Sequence, residues 1–101
     1  MDKNLEKWYR SWLRNDIENM IDQSGPYSKE DIENYNFVEN TIDTTYEAAD
    51  AVMEGEIGYH ITAFMPGDED TNYSMCKQIL RVPTEELRTI IVEELDNLAE
   101  A

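Results

Sequence analysis

Between residues 2 and 22 apolar side chains recur at three- and four-residue intervals, at Leu5, Trp8, Tyr9, Trp12, Leu13, Ile17, Met20 and Ile21. That is the period of an amphipathic helix, here with an aromatic-rich face. At this spacing Trp8 and Trp12 read as core, although the same pair left exposed would make an interface anchor. Lys3, Lys7, Arg10 and Arg14 supply half of the chain's basic residues and are spaced to pair with Asp2, Glu6 and Glu18 along the helix. Ser24, Gly25 and Pro26 break the pattern, and Ser28 restarts it as a capping residue with Asp31 three positions on.

The second helix carries Tyr35, Val38, Ile42, Tyr46, Ala49 and Met53 and should stop at Gly55, which can take the left-handed conformation after a last turn. From there the period shortens to two: Ile57, Tyr59, Ile61, Ala63 and Met65 alternate with Gly58, His60, Thr62 and Phe64, which predicts a strand. Pro66 and Gly67 end it, and residues 68–72 read as an exposed tip. Residues 73–82 return as an antiparallel partner, though the run SMCKQILRV suits a helix almost as well. After Pro83, Thr84 caps a last helix with Leu87, Ile90, Ile91, Leu95 and Leu98 on one face and Glu93, Glu94, Asp96 and Glu100 on its exposed side. The expected fold is therefore α+β: two N-terminal helices, a β-hairpin and a C-terminal helix packed as one domain over residues 1–101.

Charge changes this picture most along the second helix. Glu39, Asp43, Glu47, Asp50 and Glu54 follow one another at spacings of four, four, three and four, which stacks all five carboxylates on one helical face beside the apolar stripe. Each such pair repels by about 0.2–0.5 kcal/mol, and surface helices commonly relieve this with interleaved cations. From Glu30 to Cys76 there are twelve acidic residues and no Lys or Arg, so the negative potential is retained. A net charge of −15 over 101 residues points to a basic partner and away from nucleic acid or anionic membrane. The cations sit only within residues 3–29 and 77–88, an asymmetry that a uniformly salt-adapted surface would not show.

Leu, Ile, Val and Phe supply only 21 residues, near the level at which a charged chain fails to fold, but two Trp and six Tyr add apolar area and the periods are kept. One Cys and one His leave no disulfide and no zinc cluster, and the start MDKNLEKWYR has no apolar core of a signal peptide, so a cytoplasmic protein without cofactor is expected. Asp68, Asp70 and Asn72 open like a calcium loop, yet Tyr73 stands where glycine is needed and Ile79 where the bidentate acid belongs. Asp68, Glu69 and Asp70 instead extend the acidic field at the hairpin tip and join the candidate partner-binding residues. No Gly-rich phosphate loop or nucleophile–base pair accompanies the acids. His60 reads as an exposed or hydrogen-bonded strand residue, Cys76 as a small hydrophobe, and no enzyme is expected.

The ladder spans about 22 Å at ~1.5 Å per residue, or a charge every ~5 Å against ~3.4 Å between phosphates on a DNA strand. In size, charge and the Glu39, Asp43, Glu47, Asp50, Glu54 ladder the chain resembles the small acidic DNA-mimic inhibitors of phages and mobile elements, of the anti-CRISPR and anti-restriction kind. The resemblance implies a non-enzymatic inhibitor in the bacterial cytoplasm that occupies the Lys/Arg-lined site of a CRISPR effector or restriction nuclease. An immunity protein covering a basic nuclease toxin is the leading alternative. A third reading is an adaptor that binds through Trp8 and Trp12.

Overall fold

The computed structural model describes residues 1–24, 36–55 and 67–99. These form four helices, α1 (Lys3–Ser24), α2 (Phe37–Met53), α3 (Glu69–Ile79) and α4 (Thr84–Ala99), with no strand among the described residues. The α+β expectation is overturned by α3, which occupies the place of the return strand. Met75, Cys76, Ile79 and Leu80 all turn inward, an i, i+1, i+4, i+5 set that only a helix brings to one side. The start of α3 is equally helical in its chemistry. Asp68 is its N-cap, accepting from the Thr71 N–H at 2.7 Å, and Glu69 and Asp70 stand in the first turn, where the helix dipole favours acids. Residues 68–70 are thus a helix start and not a hairpin tip. The strand expected over residues 57–65, with His60, and the Ser28 restart lie outside the described residues.

Other termini follow from similar local chemistry. The Asp2 carboxylate, expected to pair with a cation, accepts from the N–H groups of Asn4 and Leu5 at 3.0 and 3.2 Å and caps α1. Among the described residues α2 begins after Asn36, which sits in the left-handed region at φ 53°, and it ends as expected at Gly55, φ 76°. Helix α4 includes Thr84, and the Pro83 carbonyl accepts from Glu86 and Leu87.

Cross-links fix the directions of the helices. The Met1 amine lies 3.4 Å from Glu86 while Arg14 meets Glu94, so α1 and α4 advance together. Arg88 reaches Glu39 and the Tyr46 hydroxyl donates to the Val82 carbonyl at 2.7 Å, so α2 and α4 run oppositely. The Trp8 indole N–H donates to Asn72 Oδ1 at 3.0 Å and ties α1 to α3.

The core unites Leu5, Trp8, Tyr9, Trp12, Leu13 and Ile17 with Ile42, Ala48 and Ala49, Cys76 and Ile79, and Leu87, Ile90, Ile91 and Leu95. Trp8 and Trp12 are 8 % and 1 % exposed, which places both in the core and leaves no exposed tryptophan face for an adaptor. The Tyr9 and Trp12 rings stack with centroids 5.6 Å apart. At the far end of its ring the Tyr9 hydroxyl meets Thr45 Oγ1 at 2.7 Å, and Thr45 Oγ1 donates its one proton to the Thr41 carbonyl at 2.8 Å, so Tyr9 is the donor. Burial pushes the Tyr9 phenol well above its ordinary value, partly offset by the Thr45 contact. Replacing Tyr9 by Phe removes this buried bond without opening a large cavity. The expected cost is about 1 kcal/mol, read as a lower thermal midpoint. An unchanged midpoint would mean that the bond adds nothing to stability.

Candidate functional site

The five carboxylates that share one spacing on α2 and its C-cap, Glu39, Asp43, Glu47, Asp50 and Glu54, are all exposed. The buried side of α2 is Thr41, Ile42, Thr45, Ala48, Ala49 and Ala51. At about 100° per residue this set is centred opposite the carboxylates, so the acids point directly away from the core rather than along its flank. The sequence stripe missed the width of the buried face because Thr and Ala extend it without raising the apolar signal. Tyr46, Val38 and Met53, read as central to that stripe, are only half-buried.

The ladder is not uniform. Glu39 Oε1 accepts from Arg88 of α4, at 3.0 Å from Nε and 2.8 Å from Nη2, and the same guanidinium bonds Glu85. Hydrogen bonds to Glu85 and to Glu39, in that order, hold the Arg88 guanidinium above its ordinary pKa. Asp43, Glu47, Asp50 and Glu54 have no ion-pair partner among the described residues. Two of these four are also poorly placed for the helix itself. Asp50 and Glu54 stand at the C-terminal end of α2, whose last turn has no basic residue, and there the backbone carbonyls already present negative charge.

The arginines of α1 are used elsewhere, in an arrangement the sequence did not suggest. Glu94, expected on the exposed side of α4, is 1 % exposed and lies between two guanidinium groups of α1. Its Oε1 accepts from Arg10 Nη1 at 3.0 Å and its Oε2 from Arg14 Nε at 3.0 Å, while Arg10 Nη2 bonds Glu93 at 2.7 Å. Burial is the largest single influence on the Glu94 carboxyl and pushes it up. The hydrogen bonds and charges of Arg14 and Arg10 outweigh it together and hold the group below the usual carboxylate range. Glu6, the pairing partner expected within α1, is 3.8 Å from Arg10 and secondary to these contacts.

The result is a division of charge. Arg10, Arg14 and Arg88 spend their charge on joints to α4 or between α2 and α4, and the outward face of α2 beyond Glu39 is left to carboxylates. Asp68, Glu69 and Asp70 have a use in starting α3. Hydrogen bonds from Thr71, first through its side chain and then its backbone, hold the Asp68 carboxyl below its ordinary value.

Among the described residues no group of three or more His, Cys, Asp or Glu side chains could hold a metal ion. Asn72, the third residue of the calcium-like opening, is committed to Trp8. Cys76 is buried, and burial pushes its thiol up to about 11, the opposite of what a nucleophile needs. An open groove of about 270 Å³ lies between α1 and α4, beside Glu6, Arg10, Glu86 and Glu93. No helix among the described residues is long and apolar enough to cross a membrane. No protein-family model, curated protein or solved structure matches this chain.

Proposed function

We propose that this protein is a non-enzymatic inhibitor that places the outward face of α2 in the nucleic-acid-binding groove of a basic protein and excludes the natural ligand. The observation that carries the reading is the row Asp43, Glu47, Asp50 and Glu54, exposed and without a cation among the described residues in a fold that spends Arg10, Arg14 and Arg88 elsewhere. A carboxylate row at this density offers a Lys- and Arg-lined groove the charge pattern of a phosphate strand. Its position on a helix held by a packed core costs little ordering on binding. The target class is a CRISPR effector or restriction nuclease, and for an immunity protein it would be a nuclease toxin.

The test is capture from a bacterial host lysate on the immobilised protein, followed by elution with duplex DNA or with salt. Nucleic-acid-binding proteins should be retained, released by the duplex, and released by salt as exposed charges become screened within about 8–10 Å at 0.1–0.15 M. The identity of the captured nuclease then separates a defence enzyme from a toxin. Retention that neither duplex DNA nor salt disturbs would dismiss the mimicry reading.

A further inference from the structure

We infer that Arg88 is a built-in competitor for the target's cations: its guanidinium masks the first carboxylate of the α2 row and so limits how tightly that row can bind. This rests on the function proposed above. Within the row, Glu39 is the member that a described cation contacts, and the contact comes from another helix, with two nitrogens at 3.0 and 2.8 Å from one Glu39 oxygen. Arg88 is held from its own side by Glu85, one turn earlier on α4. The three side chains are 33 %, 57 % and 83 % exposed for Arg88, Glu39 and Glu85, so an incoming guanidinium or ammonium group can reach Glu39 without opening the core. Exposed ion pairs of this kind are individually weak and exchange readily with solvent or another ion. Glu85 gives Arg88 a resting place when Glu39 is taken. The same contact joins α2 to α4, so Arg88 both steadies the row's first turn and reduces its charge.

The experiment uses the intact protein and a labelled oligo-arginine peptide as the probe of cation binding, with affinity followed by anisotropy at several salt concentrations. Three variants are compared with wild type: R88A, R81A and the triple variant D43N/E47Q/D50N. Arg81 is exposed and has no ion-pair partner among the described residues, so R81A removes the same formal charge without unmasking a row member. R88A should bind the peptide about two- to fivefold more tightly than R81A, the range expected for one freed exposed carboxylate contact, and its affinity should fall more steeply with salt. The triple variant should bind more weakly than wild type. Equal affinities for R88A and R81A, with the triple variant still weakened, would overturn the competitor role and leave the binding face intact. A triple variant that binds like wild type would remove the binding face and the competitor role with it. Circular dichroism of each variant confirms that the helices persist, and R88K, which keeps the charge but loses the planar fork, should fall between wild type and R88A.

Discussion

Neutralising Asp43, Glu47, Asp50 and Glu54 together, as Asn or Gln, is expected to weaken binding to the captured target about 100-fold at 0.15 M salt while leaving the fold at least as stable. The magnitude follows from four exposed charge contacts at roughly 0.2–1 kcal/mol each, a total of about 0.8–4 kcal/mol, within which 100-fold corresponds to about 2.8 kcal/mol at ~1.4 kcal/mol per tenfold in affinity. Stability should not suffer, because these side chains point away from the core and meet no described cation. Removing them relieves repulsion of about 0.2–0.5 kcal/mol for each neighbouring pair. It also removes two charges from the C-terminal end of α2, where each costs about 0.3–1 kcal/mol. Titration calorimetry against the target and a thermal melt of the same samples read both halves of the prediction. Unchanged affinity with an intact fold would place the binding surface elsewhere.

Changing Glu94 to Gln is expected to have the largest effect on stability of any single charged-residue substitution on α4, about 2–3 kcal/mol. Cutting one member from a fully buried ion pair costs about 3–5 kcal/mol. The lower figure applies because Arg14 is 57 % exposed and can turn to water, and Arg10 keeps Glu93 and Glu6. For a domain of this size the thermal midpoint should fall by roughly 10–20 °C. The pH dependence has a definite sign. Glu94 is held below the usual carboxylate range in the folded protein, so its contribution is complete above the unfolded value of about 4.3 and is lost as pH falls through the lower folded value. The gap between wild type and variant should therefore be full near neutral pH and close in acid. A gap that stayed constant down to pH 2 would mean that the carboxylate charge is not what joins α1 to α4.

Period alone was enough for α1 and α4, because their apolar residues repeat over several turns, and Gly55 marked the end of α2. The caps were less legible, since Asp2 caps α1 instead of pairing with a cation and Thr84 lies inside α4 instead of before it. Period was insufficient for residues 73–82. There Met75 with Ile79, and Cys76 with Leu80, satisfy a four-residue spacing that brings all four to one side of a helix, whereas a strand would set the two pairs on opposite faces. The missing weight lay just upstream, where Asp68 with Thr71 three positions on is a helix start. The exposed carboxylates of α2 were legible because their spacing is local. Glu94 was not, since Arg10 and Arg14 are 84 and 80 residues away in the chain. One signal was nonetheless present: Glu94 falls three after Ile91 and one before Leu95, on the apolar side of its helix, where an acid needs a partner. Arg88 and Glu39, 49 residues apart, show the same limit of local reading.

Helix α2 separates its two tasks by size as well as by direction. Thr41, Thr45, Ala48, Ala49 and Ala51 are small and buried, so a bulkier replacement there would disturb a packed interior, while Asp43, Glu47 and Asp50 are exposed and lie outside that packing. Exchanges among Asp, Glu, Asn and Gln along the outer rail can thus accumulate without a compensating change inside. Under the proposed function, a lineage carrying this scaffold could follow an altered target by exchanging its outer residues, with the interior held fixed.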